Sequence, residues 1–128
     1  MKCLCSYLVN NDIMHLSRIN LFNIKNMKEI YVIVKFKLNS LDLKDEWKKL
    51  SDFISGDMKE NAEGLIFRDS IIDKGGNVQC ILRWDSKESQ EKFELKLGEM
   101  MKEQPEIMEN FAKIADMSTM TKEFFDVV

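Results

Sequence analysis

Residues 29–37 read EIYVIVKFK, a stretch rich in β-branched and aromatic side chains whose charges lie near its ends. Such side chains favour a β-strand because they pack well on a pleated, half-buried surface. Apolar residues occupy every position from Ile30 to Val34, so we expect both faces of the strand to be at least partly buried. The stretch is therefore predicted to lie in the centre of a sheet.

An amphipathic helix is predicted after this strand. Asp42 can cap its first turn, and residues 61–64 are expected to end it. Between them the apolar residues recur every three or four positions, while lysines and acids fill the other side. These apolar positions are Leu43, Trp47, Leu50, Ile54 and Met58.

A β-hairpin is predicted next, with strands at residues 65–73 and 78–84. The segment between them, residues 74–77, reads KGGN. A Gly-Gly centre readily takes the positive φ values that a two-residue hairpin turn requires. The two strands are therefore expected to be adjacent and antiparallel.

The turn also predicts which side chains share a face of the sheet. With Gly75 and Gly76 at its centre, Arg68 opposes Arg83 on one face, and the other face is expected to be covered by helices. A shift of one residue would exchange these faces. The pairs predicted on the helix-covered face are Asp73 with Val78, Ile71 with Cys80, Asp69 with Leu82, and Phe67 with Trp84.

The remaining elements complete the order strand, helix, strand, strand, helices, strand. Ser86 or Asp85 caps the second helix, Pro105 begins a further helix, and residues 121–128 form a final strand. This order predicts an α+β fold, the ferredoxin-like βαββαβ arrangement with an antiparallel four-stranded sheet. The apolar helix positions are Phe93, Leu97, Met100, Met101, Ile107, Met108, Phe111 and Ile114.

In this topology the helices cover only one face of the sheet, yet the first strand is apolar on both. An exposed apolar face of this size would promote aggregation. A homodimer with sheet-to-sheet contact covers it economically, because a two-fold axis places each patch on its own copy.

Composition narrows the classes of protein. The chain has 128 residues and a net charge of −3, with basic and acidic residues interspersed, so we expect one domain and no nucleic-acid partner. No apolar run approaches the length of a membrane span, and we expect a soluble protein. The cysteines Cys3, Cys5 and Cys80 are an odd set without zinc-site spacing, which indicates a reducing, cytoplasmic location and no metal.

Residues 1–26 differ from the rest. They carry a net charge of +2, because they contain three basic residues, Lys2, Arg18 and Lys25, and one acidic residue, Asp12. Their apolar residues do not recur with a clear period. One hypothesis is that translation begins at Met27, so that residues 1–26 form a dispensable leader before a domain at residues 27–128. The alternative is a short helix at about residues 12–23 that packs on the domain or its partner.

A family resemblance rests on residues 82–88, which read LRWDSKE. This stretch resembles the Trp-x-Ser-x-Glu segment of antibiotic biosynthesis monooxygenase-like proteins, which are dimeric α+β barrels. Glu63-Gly64 before the second strand and the order of elements agree with it. The resemblance implies a homodimer with a pocket between sheet and helices in each subunit. Some members use it for cofactor-free oxidation of quinol-like phenols and others to degrade haem.

The haem-degrading branch resembles this chain poorly. Its members use an asparagine in the first strand, where this chain offers Lys35 and Phe36, and a helical histidine as iron ligand. The only histidine here, His15, lies in the leader. The third residue that marks this branch is a tryptophan, and it is the only one of the three with a counterpart here, Trp84.

The predicted register gives candidate catalytic residues. Asp69 beside Trp84 in an apolar enclosure would have a raised pKa, suited to taking a phenolic proton; the alternative is a merely structural carboxylate. Arg68 and Arg83 bind an anion or, alternatively, pair with acids such as Glu29 or Glu123 across the dimer. The predicted ligand-pocket residues are Trp47, Phe67, Cys80, Leu82, Phe93 and Met100, all of which can equally be ordinary core.

Two functions follow from these residues. The first is a small monooxygenase that acts on a quinol-like aromatic substrate with oxygen and no cofactor, since no glycine motif cradles a nucleotide. The second is a non-catalytic dimer of the same fold that binds a small apolar ligand or has a structural or stress-related role.

Overall fold

The computed structural model describes residues 28–128, so both hypotheses about the leader lie outside the described residues. The first strand is followed by a short 3₁₀ turn at Leu41–Leu43. In chain order the elements are β1 (Ile30–Leu38), α1 (Lys44–Asn61), β2 (Leu65–Ile72), β3 (Asn77–Trp84), α2 (Lys87–Glu103), α3 (Pro105–Ile114) and β4 (Ala115–Asp126).

The four strands form one antiparallel sheet in the order β2-β3-β1-β4. This order is the ferredoxin-like arrangement, so the predicted α+β fold is confirmed. The first strand lies between β3 and β4, as its apolar character predicted. The edges of the sheet are β2 and β4.

One face of the sheet packs against the helices and holds the core. In β1, Ile30, Val32 and Phe36 alternate with more exposed residues, and they pair with buried residues of β3. Trp84 and Val78 are the most completely buried large side chains, each 1% exposed. This face is called the helix-covered face below.

The opposite face, called the open face, mixes apolar and charged side chains. Tyr31 pairs there with Phe125, which is 46% exposed, and with Arg83 on its other side. Lys35 forms an ion pair with Glu123 across β1 and β4. The apolar character predicted for the second face of β1 is therefore present only at the Tyr31 and Ile33 end of the strand.

One of the predicted helix caps is wrong. Ser40 rather than Asp42 caps the first helical segment, because the Ser40 hydroxyl accepts a 3.3 Å hydrogen bond from the Asp42 amide. Ser86 caps α2 as predicted, accepting from the amide of Ser89 at 3.1 Å. Pro105 is the first residue of α3, also as predicted.

The predicted register of the hairpin is wrong by one residue. The Asp73 amide donates to the Asn77 carbonyl oxygen at 3.1 Å, which leaves a three-residue loop with Gly76 at φ +80°. A three-residue loop with a glycine in the left-handed region is a common alternative to the two-residue turn. It pairs Arg68 with Leu82 and so exchanges the faces of β2.

The last strand is longer than predicted and begins earlier. It extends over Ala115–Asp126, and its pairing with β1 is interrupted opposite Phe36. The Thr119 hydroxyl accepts a 2.9 Å hydrogen bond from the Lys37 amide at this interruption. Such bulges let a strand carry extra residues without losing its pairing on either side.

Candidate functional site

The structure separates Asp69 and Phe67 from Trp84. Asp69 pairs with Ile81 on the open face and is exposed, and Phe67 stacks edge-on against Tyr31 with ring centroids 5.9 Å apart. Trp84 lies on the helix-covered face. The predicted approach of Asp69 and Phe67 to Trp84 is therefore wrong, because it depended on the two-residue turn.

The two arginines lie on opposite faces, so the predicted Arg68 and Arg83 pair is also wrong. Arg83 stays on the open face, where it forms an ion pair with Glu29 of the same chain and lies 5.4 Å from the Tyr31 ring centroid. The hydrogen bond to Glu29 raises the pKa of Arg83 above its usual value. Glu29 is one of the two acids predicted as partners, but this pair forms within one chain, and pairing across the dimer stays a prediction.

Arg68 lies on the helix-covered face among neutral partners. Its Nη1 donates to Oγ of Ser55 at 2.6 Å, and to Oγ and the carbonyl oxygen of Ser51 at 2.9 and 3.2 Å. Its Nη2 lies 3.6 Å from Sγ of Cys80. These contacts tie the guanidinium between α1 and the sheet, a role that the predicted register had hidden.

Cys80 and Leu82 are buried on the helix-covered face, which is the face predicted for them, and their role in a pocket stays a prediction. Burial raises the pKa of the Cys80 thiol, although Arg68 and a hydrogen bond with Ser70 act in the opposite direction. The thiol is therefore protonated at neutral pH, and Cys80 behaves as a small core residue.

The aromatic residues of the predicted pocket form two contacts. Trp84 packs against Phe93 of α2 with ring centroids 5.4 Å apart. Trp47 packs edge-on against Phe36 and Phe111 at 4.9 and 5.9 Å. Met100 is partly buried further along α2. Four of the six predicted pocket residues, Trp47, Cys80, Leu82 and Phe93, thus lie in the layer between sheet and helices, and Phe67 does not.

An ion pair between Glu94 and Lys122 was not predicted. Lys122 pairs with Val34 and so faces the helices, where Glu94 of α2 meets it. Burial lowers the pKa of Lys122, because desolvation disfavours the charged ammonium form. The sequence offered one indication of this pair: Glu94 lies between Phe93 and Leu97, two of the apolar positions predicted to face the sheet.

The ring of Phe124 lies beside this pair. Phe124 pairs with Val32 and therefore faces the helices, yet 52% of it is exposed. Nζ of Lys122 lies 5.7 Å from its ring centroid. The helices thus leave the β4 side of the helix-covered face partly open.

Two classes of feature are missing from residues 28–128. No three histidine, cysteine, aspartate or glutamate side chains converge there as a metal site would require. None of the helices in this range has the length and apolar content to cross a membrane.

Comparison with known proteins gives a fold. The sequence matches no protein-family profile and no curated protein. Among solved structures, a monooxygenase from the ActVA-Orf6 gene of Streptomyces coelicolor, in complex with nanaomycin D, aligns with a TM-score of 0.59 at 10% identity, covering 82% of this chain and 93% of that one. A conserved protein from Methanosarcina mazei aligns with a TM-score of 0.57 at 14% identity, covering 80% and 96%.

The Rv0793 protein of Mycobacterium tuberculosis aligns with a TM-score of 0.54 at 13% identity, covering 78% of this chain and 95% of that one. At such identities the likeness concerns the fold alone. The fold predicted from the order of elements is confirmed: the chain has the α+β fold of these three proteins, one of which is a monooxygenase.

Proposed function

We propose that this protein is a homodimeric, cofactor-independent monooxygenase whose quinol-like aromatic substrate binds between the sheet and the helices of each subunit. Unrelated functions share folds, so the function is argued from particular side chains. The particular support comes from the side chains at the opening beside Phe124.

The observation that carries the proposal is the half-exposed ring of Phe124 on the helix-covered face. A flat aromatic substrate can stack on this ring, since offset aromatic pairs are favourable beyond the area they bury. Partly buried Val34 extends the apolar floor, and Phe93, packed on Trp84, stands on the α2 side. These residues offer apolar surface on which a flat substrate would lie.

The reaction needs only the substrate and dioxygen. A quinol and dioxygen yield a hydroxyquinone and water: one oxygen atom replaces a ring hydrogen, and the second leaves as water. The quinol supplies the electrons that reduce this second oxygen. The protein contributes binding, orientation and a means to ionise the quinol, because ionised quinols give up electrons to dioxygen more readily.

Oxygen uptake with 1,4-dihydroxynaphthalene tests the function, with the uncatalysed oxidation subtracted. We expect turnover by the parent protein and one labelled oxygen atom per product when the gas is ¹⁸O₂. Phe124→Ala should raise KM by about 10-fold, since it removes a stacking surface. Phe53→Ala is the matched control, because Phe53 is 73% exposed on α1. Equal rates of oxygen uptake with and without the parent protein would reject the proposed monooxygenase activity.

The homodimer is part of the same proposal. Its proposed contact is the open face, where Phe125 and Ile71 are 46% and 50% exposed. Sedimentation of the parent at micromolar concentration should give a dimer, and Phe125→Arg should shift it toward monomer. Phe53→Arg, the control on α1, should remain a dimer like the parent. A monomeric parent would remove this part of the proposal.

A second candidate, a non-catalytic dimer that binds a small apolar ligand, is favoured by the burial of Trp84. This side chain is 1% exposed, and the predicted carboxylate partner Asp69 lies on the other face. The two candidates differ in one measurement. Binding of 1-naphthol without any catalysed oxygen uptake from a panel of quinols would favour the binding protein.

A further inference from the structure

The ion pair of Glu94 and Lys122 lies at the edge of the layer between sheet and helices. Lys122 pairs with Val34, and Val34 pairs with Cys80, so these three side chains share the helix-covered face. Glu94 reaches the same place from α2, one residue after Phe93. The pair therefore borders the space that the proposed function assigns to the substrate.

Its burial distinguishes this pair from the ion pairs on the outside of α2. The side chains of Glu94 and Lys122 are 38% and 42% exposed, against 59–79% for the two pairs that Lys87 and Lys92 form. Oε1 of Glu94 is buried, and it is the oxygen that contacts the Lys122 ammonium group. A partly buried ion pair is weak evidence for stabilisation, which leaves room for a role in binding or catalysis.

Phe124 places an aromatic substrate within reach of the pair. Residues two apart in a strand are about 6.5 Å apart on the same face, and Nζ of Lys122 lies 5.7 Å from the Phe124 ring centroid. A hydroxylated ring stacked on Phe124 can therefore direct its hydroxyl group toward Glu94 and Lys122. The hydroxyl would meet one negative and one positive group.

Resting on the proposed function, we propose that Glu94 and Lys122 ionise the hydroxyl group of the substrate. The O–H bond breaks, the proton passes to the Glu94 carboxylate, and the electron pair stays on the phenolate oxygen beside the Lys122 ammonium group. One positive and one negative charge exist before and after the step, so it needs no other reactant. The phenolate then reacts with dioxygen.

This assignment gives each residue a separate task. Glu94 is the general base, a role that usually contributes about 10²–10⁴-fold to a rate. Lys122 stabilises the developing oxyanion in a partly desolvated place, where such an interaction is stronger than in water. Asp69, the base predicted from the sequence, lies on the other face and takes no part.

The test compares Glu94→Gln with the parent and with Glu91→Gln. Glu91 lies on the same helix in an exposed pair with Lys87, so its variant controls for loss of a carboxylate. With 1,4-dihydroxynaphthalene we expect Glu94→Gln to lower kcat about 100-fold, while the dissociation constant measured without oxygen changes by less than about threefold. Glu91→Gln should match the parent in both.

A spectroscopic measurement follows the ionisation itself. Bound 1-naphthol should show phenolate absorption with the parent and not with Glu94→Gln or Lys122→Met. If Glu94→Gln does not fold, as judged by circular dichroism, the phenolate absorption is measured with Glu94→Asp and Lys122→Met instead. A folded Glu94→Gln with the parent's kcat and phenolate band overturns this inference and leaves the proposed function standing. A parent without oxygen uptake overturns both.

Discussion

The indole Nε1 of Trp47 donates a 3.2 Å hydrogen bond to Oγ of Ser70. Trp47 belongs to α1 and Ser70 to the edge strand β2, so the bond ties the first helix to the edge of the sheet. The same indole packs against Phe36 and Phe111. Because a buried indole N–H needs an acceptor, Ser70 allows a large polar-edged ring to serve in the core.

Trp47→Phe should lower the free energy of unfolding by about 2 kcal/mol, through lost ring volume and the lost hydrogen bond. Ser70→Ala should cost about 1–2 kcal/mol, because it leaves the indole N–H buried without its acceptor. The double variant should cost less than the sum, since the bond is lost only once. Urea unfolding measures all three, and strict additivity would contradict the bond's contribution.

Gly64 lies between α1 and β2 and packs closely against the residues at the start of α2. Its φ is +84°, and a Cβ atom there would lie 2.4 Å from Oγ of Ser89 and 2.6 Å from Oδ1 of Asp85. Gly64→Ala should therefore destabilise the protein by about 1–3 kcal/mol. Gly98→Ala is the control, because no atom lies within 4 Å of its added Cβ. In mid-helix it should stabilise by about 0.5–1 kcal/mol in thermal unfolding.

The order of elements could be predicted because it depends on local patterns. Residues 29–37 have the composition of a central strand, and Pro105 marks the start of a helix without reference to the rest of the chain. The register of the hairpin could not be predicted in the same way. The Asp73 carboxylate accepts hydrogen bonds from the amides of Gly75 and Asn77, which stabilises the three-residue loop instead of the two-residue turn.

The candidate site was predictable only where it depended on one element. The apolar spacing of α2 identified Phe93, and the strand pattern identified Trp84. Glu94 and Lys122 meet only in the folded chain, where one residue of α2 reaches one residue of β4, and the face of Lys122 depends on the irregular pairing opposite Phe36. Such a bulge changes the inward-facing set of side chains without a clear mark in the sequence.

The Cys80 thiol should make stability fall at alkaline pH. Burial, the largest influence, raises its pKa above the ordinary value of 9.0. Above that pH the unfolded chain loses the thiol proton while native Cys80 keeps it, so the unfolded state is favoured. Relative to Cys80→Val, the parent should lose up to about 1 kcal/mol per pH unit between pH 9 and 10.

Urea unfolding of the two proteins under reducing conditions at pH 7, 8, 9 and 10 measures this difference. Cys3 and Cys5 are present in both proteins, and so are the lysines and tyrosines that titrate in the same range. Their contributions cancel in the comparison. A difference that stays constant from pH 7 to pH 10 would contradict an ionisation suppressed by burial.

Asp73 should make the hairpin sensitive to acid. Hydrogen bonds from the backbone and side chain of Asn77 lower its pKa below the ordinary 3.8. Its contribution to stability is therefore present above that value and is lost as the pH falls through the native pKa, because the unfolded chain takes up the proton more readily. Asp73→Ala should be less stable than the parent at pH 7, and the gap should narrow toward pH 2.5.

Urea midpoints at pH 7, 4 and 2.5 follow this narrowing, with Asp52→Ala, an exposed position on α1, as the control. Asp52→Ala should remain close to the parent at each pH, since surface carboxylates contribute little to folding. If Asp73→Ala and the parent kept the same separation at all three pH values, the charged carboxylate would have no part in the loop. The loop, and with it the face on which Arg68 lies, would then depend on the conformation of Gly76 alone.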